Sequence, residues 1–288
     1  MDLTVVILVE MLYAVASLVL ISAGLAVVFG MMKVINLAHG EFMMMGGYAT
    51  ITAVNWGVNI FVAILIIAPL VVGLIGLVVE RVVIRHLYGR LVDTMLATWG
   101  LSLFFIGLAT MIFGNTTTGI STPIPGFSVG NYQINGYNFF IIVVAVFLLI
   151  GMFAVLKGTR AGLIARGAMQ RSDMAAALGY SPDHIYMATF FCGCALSGLA
   201  GAVLAPLVGL VPTSGGAYIA KAFITVIAGG PSLIAGLFSS AGLFGIVNQV
   251  FTFAISPVIG EVALLVAAVV LLRLLPQGIT GKIFKGKL

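Results

Sequence analysis

A run of apolar residues at 3–32 is followed by others at 42–56, 60–79, 91–113, 139–156, 185–210, 217–227, 234–255 and 258–275, with short polar connections between them. This succession constrains the chain more than any other feature. A helix needs about 20 apolar residues to cross a hydrocarbon core of about 30 Å, whereas a barrel strand alternates apolar and polar positions over roughly 10 residues. The runs are continuous, so they predict helices. With 62% hydrophobic and 7% charged residues, there is too little polar surface to cover a water-soluble globule. The fold class is therefore all-α: a polytopic transmembrane bundle of eight to nine apolar segments.

The charges that remain mark sidedness. Arg81, Arg85 and Arg90 fall in one connection, Lys157, Arg160, Arg166 and Arg171 in another, and Arg273, Lys282, Lys285 and Lys287 at the C-terminal end. The connection 114–137 has no charged residue. By the positive-inside rule the three basic clusters and the C-terminus are cytoplasmic and 114–137 is outside. Three spans before Arg81 would put the N-terminus outside as well. The basic balance of +5 thus reads as topology, and nucleic acid is not implied. Residues 1–32 hold no lysine or arginine, which leaves a secretory signal without its basic region, so the first run is expected to stay as a helix.

Two runs, 42–56 and 217–227, are too short to span alone, and both adjoin Gly-rich sequence: "NLAHGEFMMMGGYAT" and "VPTSGGAYIAKAFITVIAGGP". Short, Gly/Pro-interrupted segments in corresponding positions of two halves point to broken or re-entrant helices at a transport site, and to a possible pseudo-repeat. Irregular backbone at membrane depth must face protein or a water-filled path. The residues in question are Asn36, His39, Gly40, Glu41, Gly46 and Gly47 in the first stretch and Pro212, Gly215 and Gly216 in the second. A helix interruption over 36–47 would use Asn36 as a cap, Gly40 for a conformation other residues avoid, and Glu41 at the positive end of the next helix. The same geometry could line a translocation path or offer acceptors and donors to a zwitterion. Which of these His39 and Glu41 serve stays open at this point.

Residues 157–184, "KGTRAGLIARGAMQRSDMAAALGYSPDH", differ in kind: the alanine run favours a short cytoplasmic helix, Gly179 can end it, and Pro182 cannot continue it. Lys221 is expected to snorkel to the outer interface and Glu261 to sit at a helix N-terminus. Cys192 and Cys194, two apart, are packing residues, and Met43, Met44 and Met45 are flexible packing without metal ligands beside them. His39, His86 and His184 are widely separated, so no metal site is expected.

Four ordered stretches carry a resemblance. "GLAVVFGMMKVINLAHGEFMMMGGY", "ARGAMQRSDMAAALGYSPDHIYMATF", "LSGLAGAVLAPLVGLVPTSGGAYIAKAFITVIAGG" and "LLRLLPQGITG" resemble, in this order, the LivH-type permeases of bacterial ABC importers for branched-chain amino acids. The resemblance implies one transmembrane permease domain over 1–288. Its partners would be a second, related permease in a heterodimer, two cytoplasmic ATPases that use ATP and magnesium, and a periplasmic or extracellular binding protein. It further implies that 157–184 is a coupling loop of the EAA type. Asp173 and Gly179 keep the six-residue spacing of that motif, with Asp for Glu and the alanines shifted; Arg166, Arg171, Ala176 and Tyr180 belong to the same segment. No GxxxxGK[ST] pattern occurs, so the chain itself is no enzyme and holds no cofactor. Urea, short amides or another small organic solute is the alternative cargo, and an independent channel or ion-coupled carrier the alternative class.

Overall fold

The computed structural model describes residues 2–130 and 132–283, and it is helical almost throughout. Lys285 and Lys287 of the C-terminal basic cluster lie outside the described residues. Seven helices among them are long and apolar enough to cross a membrane. The first is α1 (Asp2–Met32), and α2 (His39–Asn55) follows a break. Next come α3 (Ile60–Val62), a π-helical turn Ala63–Ile67, and α4 (Ala68–Val82), which together form one span. Pro69 lacks the N–H that a continuing α-helix needs, and the wider turn just before it absorbs the mismatch.

A 3-10 turn Ile84–Leu87 leads to α5 (Leu91–Phe113), a hairpin of β1 (Phe127–Val129) and β2 (Tyr132–Ile134), and α6 (Tyr137–Gly158). Two short helices then follow, α7 (Arg160–Gln170) and α8 (Ser172–Ala177), before α9 (Pro182–Leu204). The chain ends in α10 (Gly215–Gly229), α11 (Leu233–Ala254), α12 (Pro257–Leu274) and α13 (Gly278–Ile283). The 157–184 segment therefore carries two helices where one was expected. Arg171 is extended between them, and Ser172–Asp173 restarts the helix with an acid in its first turn.

The chain forms two compact units, each assembled from separated stretches. One comprises residues 23–121 and 151–220. Its centre is α9, which packs on α4 and on α2. Small residues let these backbones approach, as membrane helix interfaces require in the absence of a hydrophobic driving force. A Cβ at Gly76 would meet Cys194, and one at Gly198 would meet Val72 and the Ala68 carbonyl. The rings of Phe105 and Phe190 stand edge-on to Phe42 at centroid distances of 5.5 and 6.1 Å, closing the core between α2, α5 and α9.

The other unit comprises residues 1–22, 122–150 and 221–288. Here α11 packs on α12, and α13 folds back on α11. The buried Thr280 hydroxyl donates to the Gly229 carbonyl at 2.6 Å and accepts from the Ser232 N–H at 3.2 Å, pinning α13 to the turn between α10 and α11. Valine at Thr280 would leave the buried Gly229 carbonyl and the half-buried Ser232 N–H without this partner. A loss of about 1–3 kcal/mol is expected, read as a lower unfolding temperature in detergent. In the same unit Lys221 Nζ donates to Glu261 Oε1 at 2.6 Å, joining α10 to α12. The two residues read separately from sequence as an interfacial lysine and a helix-terminal acid are thus one ion pair. Glu10, unremarked in the sequence, accepts from the Asn138 amide at 2.9 Å and ties α1 to α6.

Candidate functional site: a buried helix break and an exposed two-helix segment

The interruption predicted over 36–47 is real but shorter and earlier. Helix α1 stops at Met32, residues 33–38 are irregular, and α2 begins at His39 and runs unbroken through Gly40, Gly46 and Gly47. The left-handed residue at the break is Lys33, with φ 56°, and not Gly40. Gly40 serves close approach instead: a Cβ there would run into the backbone of Gly215 at the start of α10, and a Cβ on Gly215 would run into Gly40 and the Glu41 nitrogen. Gly46 lies in the same way against Gly198, and Gly47 against the Leu210 side chain. The apolar residues Phe42, Met43 and Met44 of α2 are all buried, while its glycines let its neighbours touch it.

Polar side chains satisfy the backbone freed by the break. Asn36 Oδ1 accepts from the Ala38 N–H at 3.0 Å, and the Asn36 carbonyl accepts from the His39 N–H at 3.3 Å. From α5, the Thr98 hydroxyl accepts from the Leu37 N–H at 3.1 Å. Each bond replaces one that a continuous helix would have made, as buried backbone groups demand. Asn36 thus closes an Asx-type turn ahead of the helix and does not cap it as expected: the N-cap of α2 is Ala38, with no side-chain bond, while Glu41 stands in the first turn of α2, where the helix dipole favours an acid.

Beside the break, His39 Nδ1 lies 3.1 Å from the Ser197 hydroxyl on α9. That hydroxyl also donates to the Gly193 carbonyl at 2.8 Å, and it has only one proton. The Ser197 hydroxyl thus stands between His39 on α2 and the Gly193 carbonyl of its own helix, and joins α2 to α9. Asn36, His39 and Glu41 are each no more than 2% exposed. The result is a sealed polar patch inside an apolar unit. Pro212 is buried nearby in sequence to Gly215, while Gly216 is exposed and its Cβ position meets open space. The structure thus brings together Asn36, His39, Gly40, Glu41 and Gly215, and leaves Gly216 facing away. Thr98 and Ser197 are the residues that sequence reasoning missed. A lone hydroxyl in an apolar helix gives no signal of its partner.

The second group of residues forms a contiguous exposed segment. The Thr159 side chain caps α7 by accepting from the Gly162 N–H at 3.0 Å, and half-buried Arg166 folds its Nε onto the Gly162 carbonyl at 3.3 Å. After α8 the Gly179 N–H donates to the Ala176 carbonyl at 2.9 Å and the Tyr180 N–H to the Ala175 carbonyl at 3.1 Å. This crossed pair, with Gly179 at φ 88°, is the Schellman ending that favours glycine. Around it Arg171, Asp173, Ala176 and Tyr180 are exposed, and so are Met174 (61%) and Leu178 (77%). Large apolar side chains thus stand exposed on a segment otherwise lined by Arg and Asp.

A family model described as the branched-chain amino acid transport system / permease component matches residues 7–275 of this chain. The probable branched-chain amino acid transport permease protein LivH of Methanocaldococcus jannaschii is 26% identical over 281 residues, covering 92% of this chain and 88% of that one. The high-affinity branched-chain amino acid transport system permease proteins BraD of Pseudomonas aeruginosa and LivH of Escherichia coli K12 are each 26% identical over 280 residues, 91% of both chains. No solved structure matches.

Proposed function

The chain belongs to the family of branched-chain amino acid transport system permease components, and from that premise we propose that it is the membrane-spanning subunit of a binding-protein-dependent ABC importer. Its cargo in this reading is a branched-chain or related hydrophobic amino acid, delivered from outside by a binding protein and moved into the cytoplasm. ATP and magnesium are used by two partner ATPases, and a second, related permease completes the pathway in the cytoplasmic membrane. In this reading the chain, whose sequence holds no nucleotide-binding motif, leaves ATP hydrolysis to those partners.

The observation that carries this reading is the α7–α8 segment. A docking element must be exposed, apolar at its tip and rigid in shape, and Met174, Leu178 and Tyr180 around a Schellman-capped α8 meet those requirements. In the same unit, α9 leads from this segment to Ser197 and the buried break. The names of the relatives support the choice of cargo. It is tested by uptake of radiolabelled leucine into proteoliposomes holding the chain with its partners: competition by isoleucine and valine is expected, and competition by urea or short amides instead would replace the cargo.

The reading also fixes sidedness. In a background with Cys192→Ala, cysteine at Arg171 is expected to resist a membrane-impermeant thiol reagent in intact cells and to react after permeabilisation. Cysteine at Thr117 should react at once. Labelling of the Arg171→Cys variant from outside would invert the topology.

A further inference from the structure

The cytoplasmic end of α4 carries a buried polar cluster that neither the helix break nor the docking segment uses. Glu80 is 0% exposed, and its Oε1 accepts from the Tyr88 hydroxyl at 2.5 Å. Arg85 Nε stands 4.0 Å from the same oxygen, an ion pair without a hydrogen bond. Among the described residues the other Glu80 oxygen has no hydrogen-bond partner. The Tyr88 ring, in turn, meets Tyr186 edge-on at 4.9 Å between centroids. Tyr186 lies on the second turn of α9, which begins at Pro182 directly after the Gly179 ending of α8.

The connection that carries Tyr88 is itself fixed. Ile84 is fully buried, and the Thr94 hydroxyl on α5 lies 3.0 Å from the Leu87 carbonyl and 2.7 Å from that of Arg90. Burial and the Glu80 acceptor both push the Tyr88 phenol far above its ordinary range, so it remains a donor. Above this point α4 and α9 touch through Gly73 against Phe191 and Gly76 against Cys194. Further along α9, Ser197 meets His39 and Gly201 meets the Met43 backbone. A straight helix from Pro182 to Ser197 is roughly 22 Å long. One continuous helix therefore connects the docking segment to the break.

We infer that Tyr88 and Glu80 are positioning residues of the transport cycle, holding the cytoplasmic foot of α9 to the end of α4 so that displacement of α8 moves the two helices as one body. Without the clamp, the same displacement would be absorbed by bending the first turns of α9, and Ser197 would not move. The inference rests on the ABC-importer reading, in which α8 is pushed by an ATPase.

The test is the ratio of amino acid taken up to ATP hydrolysed in proteoliposomes containing the full complex. Tyr88→Phe keeps the ring contact and loses the bond to Glu80; the ratio is expected to fall roughly threefold to tenfold while the ATPases still co-purify. Glu80→Gln keeps an acceptor for the phenol and is expected to retain most of the ratio. Tyr88→Phe combined with Glu80→Leu removes both partners of the bond and leaves only the one-third-exposed Arg85 without its ion pair, so most of the thermal stability should return, yet the ratio should stay low. A wild-type ratio in Tyr88→Phe would overturn the inference, as would recovery of the ratio together with stability in the double variant. Loss of ATPase co-purification in Tyr88→Phe would equally overturn it, since the cluster would then only shape the docking surface. A wild-type complex whose uptake ignores ATP would remove the importer reading itself, and is told apart by being seen before any substitution is made.

Discussion

Leucine at Gly40 is expected to prevent the protein from accumulating in the membrane in a folded form, and alanine there to cost about 1–3 kcal/mol. The reason is that the obstacle on each side is backbone. A Cβ on Gly40 meets the carbonyl oxygen, carbonyl carbon and Cα of Gly215, and no rotamer change can move those atoms. Forcing α2 and α10 apart would also disturb Glu41, whose nitrogen lies 2.8 Å from where a Gly215 Cβ would sit. Gly100→Leu is the matched control, because its Cβ position meets open space on α5. Yield and unfolding temperature after extraction measure both. A Gly40→Leu protein as stable as Gly100→Leu would show that the two backbones do not touch.

Arginine at Gly179 is expected to lower ATP-driven uptake by about tenfold or more while leaving ligand binding by the extracellular partner unchanged. Space is not the cause, since a Cβ at Gly179 has no neighbour within 4 Å. Backbone is the cause: at φ 88° an ordinary L-residue pays about 1–2 kcal/mol, and the Schellman bonds to Ala175 and Ala176 loosen when it relaxes. Met174, Leu178 and Tyr180 would then lose their fixed arrangement. Asparagine tolerates the left-handed region better than other side chains, so Gly179→Asn should keep much of the uptake. Equal uptake in the Arg and Asn variants would contradict this account, and so would normal uptake in the Arg variant with ATPases still bound.

The helices themselves were legible because lipid imposes length and apolarity directly. The run 91–113 coincides with α5, and the two short runs appear as α2 and α10 beside irregular segments. What sequence could not supply is which residues meet across helices. His39 was visible as an oddity in an apolar chain, but Ser197 lies 158 positions away and resembles any other small residue. Lys221 and Glu261 each had an adequate explanation alone, and only the packing of α10 near α12 reveals the pair. Gly40 was picked for the right reason of being glycine, and the wrong property: its need is for room and not for an unusual φ. A short helix between the spans was readable through the alanines, Gly179 and Pro182, but the extended Arg171 that divides the segment into two helices depends on how α7 and α8 pack on α9.

The claim at the centre is that this chain works only when ATPases act on its α7–α8 segment. The most direct measurement is leucine uptake into proteoliposomes containing the chain, its partner permease, the ATPases and the binding protein, with ATP present or absent on the side where α8 is exposed. Uptake that requires ATP, and that is lost in the Gly179→Arg variant while leucine still binds the extracellular partner, is the expected result. Uptake by the membrane subunits alone, without ATP and driven only by a solute or ion gradient, would contradict it and make the chain an independent carrier.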